Sequence, residues 1–487
     1  MNAAALQPNI PPEKNYTQAA DIKRIFDKQS TYALILRNST VEERIIKLKK
    51  VRDAVLARRE AIYQACHHDF RKPATEVDLT EIFPVCLEVN HAIKHLKKWM
   101  KPARVKPTKA TFGTRSYIRY EPMGVNLIIA PWNYPINLTL CPLISAIAAG
   151  NTAILKPSEM TPHASAFLRE LVQDLFDEKE VALFEGDAKV SQLLLDLPFN
   201  HIFFTGSPAV GKIVMTSAAR HLSKVTLELG GKSPAIIDHS ADIKQAAKSV
   251  AFTKYTNNGQ TCIAPDYVFV HQAIKKNFVA ELNQAISSAY GNTSDAQLSN
   301  ADYARIINHH HHGRIQALLD DALEHGAHVE IGGDIKGNSE NYISPTVLSN
   351  INKSSQIMKE EIFGPLLPIL TYDDINEVID HVNANEKPLA LYIYTKQMKL
   401  AQQVLDNTSS GDACINTGMV QYLHANLPFG GVNHSGIGKS HGIYGFRAFS
   451  HERSVVRDLF APTLFMAPPY NKFVKRLVKL VVKYLSK

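Results

Sequence analysis

Cysteine is scarce in this sequence, and the few cysteines are scattered. Five occur among 487 residues, and no two of them form a Cys-x-x-Cys pair. An odd number without regular spacing argues against a disulfide framework. Residues 1–13 also lack the basic-then-apolar pattern of a secretory signal. We therefore expect free thiols in a cytoplasmic protein. The cysteines are Cys66, Cys86, Cys141, Cys262 and Cys414.

Acidic residues are missing from the C-terminal end. None follows Asp458, whereas six basic residues do. Without these six, the formal net charge of +8 falls to +2. The body of the chain is therefore nearly neutral, and we expect no nucleic-acid partner. The six basic residues are Lys472, Lys475, Arg476, Lys479, Lys483 and Lys487.

Charged residues are absent between Gly124 and Leu155. This stretch is longer than the ~20 residues that a membrane-spanning helix needs. However, three prolines and four asparagines interrupt it, and they would break a single helix and be costly in lipid. We interpret the stretch as a buried strand, a loop and a buried helix.

The length of the chain suggests two or three domains. Helical periodicity is present over 39–70 and 80–100, and from residue 124 onward short apolar runs alternate with helices. Such alternation predicts a parallel, doubly wound α/β sheet that binds ligands at the carboxyl ends of its strands. Thr161 and Ser207, each followed by proline, are predicted helix N-caps. The predicted strands are 125–130, 152–155, 201–204, 225–229, 235–237, 267–270 and 449–456. The predicted helices in this part are 136–149, 162–176, 208–221, 243–253 and 275–290.

Two glycine-bearing loops carry the most chemical information. One is Leu227–Lys232, which contains Glu228, and the other is Asn257–Cys262. A cysteine thiolate is a strong nucleophile, and a nearby carboxylate can take a proton from water. The residues before Cys262 are too polar and turn-prone to bury a packing cysteine. Cys262 is therefore a candidate nucleophile, and the other four cysteines are expected to be small buried thiols.

Glu228 lies in an otherwise apolar predicted strand, so its carboxylate must be either paired or functional. Burial would raise its pKa toward the range useful for a general base. An ion pair with a lysine or arginine elsewhere is the alternative. Asn133, which directly follows a predicted buried strand, can donate a hydrogen bond to an oxyanion. On local chemistry alone, an asparagine in a proline-bounded turn is an equally good reading.

Two further segments imitate ligand sites. Gly206–Lys212 lies between a strand and a helix and nearly matches a nucleotide-hydrolase phosphate loop, but Ile213 replaces the required serine or threonine. The helix N-terminus there still favours a phosphate. His309–His312 suggests a metal, yet four consecutive helical residues point in four directions. We expect a solvated helix face and no metal site.

Together these segments resemble the aldehyde dehydrogenase superfamily. The resemblance extends over most of the chain, and it rests on Thr205–Ser207, Glu228–Pro234, Asn257–Cys262 and Glu361–Pro365. The cysteine loop and its continuation to Tyr267 are similar to the class 3 subgroup, which includes fatty and coniferyl aldehyde dehydrogenases. One departure is Val432-Asn433-His434-Ser435, where relatives often have Gly-Asn before the serine, and it affects only local loop shape.

The resemblance implies an aldehyde dehydrogenase-like α/β fold, with two doubly wound domains and a small β oligomerisation element. Residues 20–228 would form the dinucleotide-binding domain, with an excursion at about 108–122 to the oligomerisation element. Residues 229–425 would form the catalytic domain, and 426–458 a bridging and oligomerisation segment. A homodimer is the implied assembly.

The resemblance also implies NAD(P)-dependent oxidation of an aldehyde to a carboxylic acid. Cys262 would carry a thiohemiacetal and then a thioester, Asn133 and a backbone N–H would hold the oxyanion, and Glu228 would activate water. Glu159 favours NAD, because a carboxylate binds a free ribose 2′-hydroxyl and repels a 2′-phosphate; NADP is also possible. The implied cofactor contacts are Trp132, Lys156, Glu159, Gly206, Ser207, Gly211, Glu361 and Phe363.

Three alternatives stay open. A coenzyme A-acylating relative would use the same cysteine but normally lacks Glu228. A phosphate-loop hydrolase fails at Ile213, and a non-enzymatic binding protein on this fold would be expected to lose Cys262 or Glu228. For the substrate, we expect a hydrophobic aldehyde, either medium- or long-chain aliphatic or aromatic like coniferyl aldehyde.

Residues 470–487 predict a basic amphipathic helix. In 472–487, the basic residues and Ser486 recur at helical steps, and apolar residues fill the rest of each turn. Such a helix lies in the interface of an anionic membrane rather than crossing it. Docking on the protein's own surface or on a dimer partner is the alternative. Class 3 relatives that act on fatty aldehydes often carry a C-terminal anchor, which favours a peripheral location on the inner face of the membrane.

Overall fold

The computed structural model describes residues 19–108, 111–336, 340–460, 464 and 467–485. The N-terminal residues 1–13 lie outside the described residues, and so do Ser486 and Lys487 of the predicted C-terminal helix. The α-helices are α1 (Ala19–Leu36), α2 (Val41–Ala57), α3 (Arg59–Phe70), α4 (Ala74–Val77), α5 (Phe83–Trp99), α6 (Asn137–Ala149), α7 (Pro162–Leu175), α8 (Ala188–Leu195), α9 (Pro208–His221), α10 (Ile243–Tyr255), α11 (Lys275–Tyr290), α12 (Ser294–Ser299), α13 (His309–Glu324), α14 (Gln356–Lys359), α15 (Ile375–Ala384), α16 (Met398–Asn407), α17 (Gly442–Ala448) and α18 (Lys472–Leu485).

The strands form two large sheets and two small ones. They are β1 (Ala103–Val105), β2 (Thr114–Pro122), β3 (Val125–Ile129), β4 (Thr152–Lys156), β5 (Val181–Leu183), β6 (His201–Gly206), β7 (Lys224–Leu229), β8 (Pro234–Ile237), β9 (Tyr267–His271), β10 (His328–Ile331), β11 (Ile335–Lys336), β12 (Tyr342–Ile343), β13 (Thr346–Ser349), β14 (Leu366–Tyr372), β15 (Ala390–Tyr394), β16 (Asp412–Ile415), β17 (Gly436–Ile437) and β18 (Ser450–Asp458).

A six-stranded sheet organises the first part of the chain. Its order is β17-β7-β6-β3-β4-β5, and its pairs are parallel except for β17 with β7. The chain runs outward from β3 to β5 and then returns to place β6 on the other side of β3. In doubly wound sheets, ligands bind at such a reversal, outside the carboxyl ends of the strands.

Helices cover both faces of this sheet, because successive side chains of a strand point to opposite faces. Leu127 and Ile129 pack with residues of α1, α8 and α9, whereas Ile128 packs with residues of α2, α5 and α6. The charge-free stretch Gly124–Leu155 forms β3, α6 and most of β4, and nearly all of its residues are buried. The predicted strand, loop and buried helix are confirmed.

A seven-stranded sheet organises the second part, in the order β10-β13-β14-β9-β8-β15-β16. Its pairs are parallel except for β10 with β13. Cys262 lies in the loop just before β9, at the amino end of a strand, whereas Glu228 lies near the carboxyl end of β7. The first sheet therefore presents carboxyl ends, and the second presents amino ends, to the region between them.

A three-stranded antiparallel sheet, β1-β2-β18, lies apart from the two large ones. Strand β18 pairs with β2 along its whole length, from Ser450 opposite Pro122 to Asp458 opposite Thr114. Most residues of β1 and β18 are exposed. The predicted segment 426–458 thus divides in two: β17 joins the first large sheet and β18 joins this small one.

The predicted α/β fold with doubly wound, mainly parallel sheets is confirmed, but three local features differ from the sequence reading. The helical pattern over 39–70 is two helices, because Arg58 leaves helical geometry between α2 and α3. Helix α1 was not predicted. Thr161 makes no side-chain cap on α7; instead, Asp69 accepts from the N–H groups of His163 and Ala164, at 3.1 and 2.9 Å.

Candidate active site

The loop before Cys262 is built from residues that accept left-handed backbone geometry. Asn257, Asn258 and Gly259 have φ values of 54°, 57° and 74°, a region that glycine and asparagine enter most readily. A Cβ atom on Gly259 would lie 2.3 Å from the carbonyl oxygen of Gly364, so only glycine fits. The loop therefore packs tightly against the chain segment that follows Glu361.

This polar loop is buried, contrary to the impression its sequence gives. Asn257, Asn258 and Gln260 have no exposed surface, and their amides are bonded to backbone. The side chain of Gln260 donates to the carbonyl oxygens of Asn257 and Arg305, both at 3.0 Å, and accepts from the N–H of Ile307 at 2.9 Å. These bonds offset the cost of burying amides and fix the approach to the cysteine.

Cys262 itself is half-buried. Burial raises the pKa of its thiol well above the usual value, and the carboxyl groups of Glu361 and Glu228 raise it further, whereas the backbone N–H groups of Cys262 and Ile263 act in the opposite direction. The thiol is thus held protonated until a nearby group removes its proton or neutralises the negative charge around it.

Glu228 is 6% exposed in β7, between β6 and β17. The hydroxyl of Ser440 donates to its Oε1 at 2.9 Å, and its Oε2 has no partner among the described residues. Burial raises the pKa of Glu228 to about 8; Asp412 contributes in the same direction, and the Ser440 bond and Lys439 oppose it. In the described part of the chain Glu228 makes no ion pair, so the ion-pair alternative has no support.

Asn133 follows β3 and is buried. Its Nδ2 donates to the carbonyl oxygen of Gln260 at 2.9 Å, and its own carbonyl oxygen accepts from Nδ2 of Asn257 at the same distance. The structure therefore joins Asn133 to the cysteine loop, across more than a hundred residues of sequence. Asn133 does not line the two cavities described next, so its role at an oxyanion stays a prediction.

Two cavities meet at Cys262. The first, the base cavity, has a volume of about 530 Å³ including space open to solvent, and both Cys262 and Glu228 line it. The second, the apolar funnel, has a volume of about 880 Å³ including open space, and Cys262 lines it as well. Leu138 and Tyr422 line both cavities. The apolar side chains of the funnel are Leu79, Phe83, Pro84, Leu138, Phe252, Ile263, Met419, Val420 and Leu423.

The predicted diphosphate turn lies at the carboxyl end of β6. The hydroxyl of Ser207 caps α9 by accepting from the N–H of Val210 at 3.4 Å, as predicted. A Cβ atom on Gly211 would lie 2.7 Å from Leu229, so glycine lets α9 approach β7 closely. The arrangement directs the positive end of a helix at the reversal point of the sheet, where a phosphate is favourable.

Lys156 and Glu159 lie at the carboxyl end of β4 and form an ion pair, with Nζ and Oε2 2.8 Å apart. Lys156 is buried, whereas the Glu159 side chain is 39% exposed. Strand β3 lies between β4 and β6, so this accessible carboxylate is at the same edge of the sheet as the turn at Ser207, two strands away. It fits the predicted contact with a ribose hydroxyl.

Glu361 lies against the glycine pair between the two sheets. A Cβ atom on Gly230 would lie 2.1 Å from Glu361 Oε2, so glycine makes room for this carboxylate. Burial, with a smaller contribution from Asp266, raises the pKa of Glu361 to about 8. Phe363 has a φ of 48°, an unusual conformation for a bulky residue, and its ring lies 5.3 Å from that of Trp132.

A hydrogen-bonded network that the sequence did not reveal fixes the segment from Glu360 to Ile362. Lys232 forms an ion pair with Asp266 and donates to the carbonyl oxygen of Glu360 at 2.7 Å. Asp266 accepts from the N–H of Ile362 at 2.8 Å, and Arg314 donates to the Ile362 carbonyl oxygen at 2.6 Å. Such satisfied networks fix a single geometry.

The histidine run departs from its predicted exposure. His309 and His310 are exposed, but the ring of His311 lies 5.2 Å from that of Trp132. His312 is buried, and its Nε2 lies 3.2 Å from the carbonyl oxygen of Tyr342. The prediction of a solvated face is therefore wrong for His312, whereas His311 is half-buried. Across the described ranges no group of three metal-ligating side chains is found.

The model of the aldehyde dehydrogenase family matches residues 13–455. The chain belongs to the aldehyde dehydrogenase family. It is 40% identical over 475 residues to the 4,4'-diaponeurosporen-aldehyde dehydrogenase of Staphylococcus aureus, covering 97% of this chain and 100% of that protein. It is 41% identical over 418 residues to aldehyde dehydrogenase family 3 member B1 of Homo sapiens, covering 86% and 87%. The predicted superfamily and its class 3 character are confirmed.

Solved structures agree. The substrate-bound state of Staphylococcus aureus AldH has a TM-score of 0.89 at 38% identity, covering 95% of this chain and 99% of that one. The NAD+ complex of a Bacillus cereus aldehyde dehydrogenase has a TM-score of 0.83 at 27% identity, covering 91% and 90%. An NADP-dependent enzyme of Escherichia coli also has a TM-score of 0.83, at 26% identity, covering 91% of each chain. This aldehyde dehydrogenase is an aldehyde-oxidising oxidoreductase, and its family uses NAD or NADP.

Several neighbours of the base in this aldehyde dehydrogenase could not be found from the sequence. Ser440 and Asp412 belong to segments nearly two hundred residues or more after Glu228, and no local pattern marks either as its partner. Burial raises the pKa of Asp412 to about 6. The one available signal was that Gly436–Gly442 is a short glycine-rich loop, and such loops allow close backbone approach.

Proposed function

We propose that this enzyme oxidises a hydrophobic aldehyde to the carboxylic acid through a thioester on Cys262, with NAD preferred over NADP. The observation that carries the proposal is the base cavity, which Cys262 and Glu228 line together. A nucleophile and a base that share one cavity can act in sequence on the same substrate carbon.

In the first step, the Cys262 thiol loses its proton to water in the base cavity, and the thiolate sulfur adds to the aldehyde carbon to give a thiohemiacetal. The negative charge that develops on the aldehyde oxygen is stabilised by the backbone N–H of Cys262 and by the Asn133 amide. In the structure one Nδ2 hydrogen of Asn133 is used by Gln260, and the second amide hydrogen is the one we assign to the oxyanion.

Glu228 acts after the thiohemiacetal has been oxidised to the thioester. Its carboxylate takes a proton from water, the resulting hydroxide attacks the thioester, and the acid leaves as Cys262 regains its sulfur charge. A pKa of about 8 suits this role, because a base with a pKa near the working pH accepts a proton readily and is still partly ionised.

A nicotinamide dinucleotide fits the groups at the facing ends of the sheets. Ser207 and Gly211 would receive its diphosphate at the start of α9, Lys156 and Glu159 its adenosine ribose, and Glu361 its second ribose. The cofactor supplies the acceptor for the hydride of the aldehyde carbon. Phe363 and Trp132, in edge contact, would form the wall beside the nicotinamide ring.

The funnel supports an apolar substrate. Its lining is almost entirely hydrocarbon, and its rim includes Phe83 and Phe252, both at least half exposed. Burial of apolar surface there favours aldehydes with a hydrocarbon tail. The name of the Staphylococcus aureus relative, a dehydrogenase of 4,4'-diaponeurosporen-aldehyde, supports a lipophilic aldehyde as well. The aromatic rings of the funnel keep a coniferyl-like aldehyde as a second candidate.

The competing reactions are less well supported. A coenzyme A-acylating enzyme has no need of a base for hydrolysis, yet Glu228 is present, buried and hydrogen-bonded on the wall of the base cavity. A non-enzymatic binding protein has no need of either Cys262 or Glu228. A phosphate-loop hydrolase needs a hydroxyl where Ile213 stands.

We assign helix α18 to the surface of an anionic membrane, on the inner face of the cytoplasmic membrane. It carries Lys472, Lys475, Arg476, Lys479 and Lys483. Its apolar residues remain largely exposed rather than docked: Phe473, Leu480 and Val482 are each at least 60% exposed, whereas Val474 is buried. Exposed apolar area together with basic charge favours an anionic interface. Among the described helices, none has the length and apolar character needed to cross a membrane.

The homodimer remains our proposed assembly, with the small sheet β1-β2-β18 as its oligomerisation element. Strand β18 is nine residues long and mostly exposed, and among the described residues it pairs on one side only. A long unpaired edge readily accepts another strand. The mass of the protein in solution, measured by light scattering before and after a proline substitution at Val455, tests this assembly; an unchanged dimer in the variant would contradict it.

The chemistry is tested by replacing the nucleophile. Cys262→Ala should abolish NADH formation from every aldehyde in an aliphatic and aromatic panel, while NAD binding measured by calorimetry stays near the wild-type value. Cys86→Ala is the matched control, because Cys86 is half-buried in α5 and lines neither cavity; it should retain activity. Dehydrogenase turnover in Cys262→Ala would overturn the assignment.

A further inference from the structure

Glu228 has no direct outlet for the proton that it takes from water. It is buried, Ser440 bonds its Oε1, and its Oε2 faces no polar protein atom within hydrogen-bonding distance in the described part of the chain. A base must return to its ionised form before the next cycle, so the proton has to leave Glu228 through the base cavity. A group on the wall of this cavity must therefore receive the proton.

A carboxylate and an imidazole share that wall. Glu88, from α5, and His441, directly after Ser440, both line the base cavity. They are 4% and 8% exposed. Oε2 of Glu88 lies 3.6 Å from Nδ1 of His441, and Oε1 of Glu88 accepts from the N–H of Gly442 at 2.8 Å. Helix α5 therefore holds the loop of the base by both carboxylate oxygens.

The backbone at His441 is unusual. Its φ is 67°, in the left-handed region where residues other than glycine and asparagine are uncommon. Such a conformation is strained and persists at sites where surrounding contacts hold it. Here the contacts are the Glu88 bond to Gly442 and the rings of Tyr422 and Phe429, whose centroids lie 4.6 and 5.4 Å from that of His441.

The same pair also lines a third, smaller cavity, which we call the outer cavity. Glu88, His441 and Tyr422 are shared between the base cavity and this outer cavity. The rest of its lining is Pro84, Leu87, Leu423 and Ala425, a set that includes partly exposed residues. The Glu88–His441 pair thus stands between the buried base and a cavity nearer the surface.

Other titratable groups face the pair, and of those in the described part of the chain Tyr422 alone also lines both cavities. Cys141 of α6 lies on the base cavity, and burial raises the pKa of its thiol well above the usual value, so it is a poor proton carrier at neutral pH.

Asp412 and Lys439 lie near Glu228 but line neither cavity. His91 lies beside Gly442 on the far side of the loop and also lines neither. Tyr422 lines both cavities, but burial raises the pKa of its hydroxyl well above the usual value. The hydroxyl therefore stays protonated and neutral, and it does not hold the transferred proton as a charge.

We propose that the Glu88–His441 pair is the proton outlet of this dehydrogenase. It receives the proton of Glu228 across the base cavity and passes it to the outer cavity. During thioester hydrolysis, water gives one proton to Glu228 and its hydroxide to the acyl carbon, and the acid leaves. Glu228 then gives this proton, through water in the base cavity, to His441, whose charge Glu88 balances. His441 releases it to the solvent, and both residues return to their starting state.

The pair acts through Glu228, so its members are positioning and proton-transferring residues rather than groups that touch the substrate. The inference rests on the proposed function, because it needs a hydrolytic step with Glu228 as base. The alternative is a mechanism in which Glu228 exchanges its proton directly with solvent, without the Glu88–His441 pair.

The test uses Glu88→Gln and His441→Asn in the full-length enzyme. Glu88→Gln keeps an oxygen that can accept from Gly442, and His441→Asn replaces the ring by a smaller polar side chain without adding bulk at the loop, so we expect both variants to fold. In rapid mixing with NAD and an aldehyde, both variants should form up to one equivalent of NADH at the wild-type rate. Steady turnover should then fall at least about tenfold.

Two readouts separate proton transfer from a purely structural role. Imidazole added to His441→Asn should restore turnover in a concentration-dependent way, and the solvent deuterium isotope effect on turnover should increase in both variants. His95→Gln is the matched control, since His95 lies on the same helix, stacks on Trp99 and lines no cavity described here; its turnover should be unchanged.

The possible failures are distinguishable. Wild-type enzyme that forms no NADH with any aldehyde would overturn the proposed function and the outlet together. An active wild type with unchanged turnover in both variants would overturn the outlet alone. Slow variants that neither respond to imidazole nor change their isotope effect would show a structural role and would also overturn it.

Discussion

We expect the hydrogen bond from Ser440 to Glu228 to influence the pH dependence of the hydrolytic step. The bond stabilises the ionised carboxylate and so lowers the pKa of Glu228, against the effect of burial, which raises it to about 8. Ser440→Ala removes the donor and leaves the carboxylate without a hydrogen-bond partner in the described part of the chain. The pKa must then rise further.

The size of the shift follows from the bond. A hydrogen bond to a charged group contributes about 1.5–3 kcal/mol, and one pKa unit corresponds to about 1.4 kcal/mol. The inflection of the rate profile should therefore move upward by about one to two pH units. A base acts only when ionised, so activity is present above the pKa and lost below it. At neutral pH the variant should be slower by about ten- to a hundredfold, and at high pH it should approach the wild-type rate.

The assay is steady-state kcat across neutral and alkaline pH, with the initial burst of NADH measured in parallel. The burst should be little changed, because it precedes hydrolysis of the thioester. Ser440→Thr is the matched control, since it keeps a hydroxyl at the same position. Two results would contradict this expectation: Ser440→Ala with the wild-type inflection, or an equal loss of its activity at every pH. Either result would show that ionisation of Glu228 does not limit hydrolysis.

Three further predictions concern the base, the cofactor and the C-terminal helix. Glu228→Gln cannot take a proton from water, so rapid mixing should show up to one equivalent of NADH per site followed by slow turnover; a wild-type turnover rate would exclude Glu228 as the base. Glu159→Gln removes a charge that repels a 2′-phosphate, so the ratio of kcat/KM for NAD over NADP should fall; a wild-type enzyme that strongly prefers NADP would show the ribose assignment to be wrong. Deletion of residues 470–487 should sharply reduce co-sedimentation with anionic vesicles while activity on a short soluble aldehyde survives; equally poor binding by both forms would favour docking instead.

Much of the site could be predicted because its chemistry is concentrated in short segments. Cys262 and Glu228 each stand within a glycine-bearing loop, and both prove to line one cavity. The alternation of apolar runs and helices after residue 124 likewise predicted the two large sheets. In each case the signal was local: a residue type in a pattern, or a period along a few turns.

The contacts that tune these residues could not be predicted, since they join distant parts of the chain. Glu88 reaches Gly442 across more than three hundred positions, and Asp69 caps a helix that begins nearly a hundred residues later. The polarity of Asn257 and Asn258 suggested exposure, but hydrogen bonds from their Nδ2 groups to backbone carbonyl oxygens help to offset the cost of their burial. A sequence shows which groups need partners, whereas the fold decides which partners they receive.

The apolar funnel is open at its outer end, since its rim side chains Phe83, Phe252 and Val420 are exposed. Each methylene buried inside it adds about 0.8 kcal/mol to binding, and this gain ends where the chain emerges into its surroundings. Selectivity is then confined to the carbons nearest the aldehyde. For the proposed hydrophobic substrates, we therefore expect one active site to serve a homologous series of aldehydes, and we expect the cost of drawing a long molecule out of lipid to be limited to the segment that enters the protein.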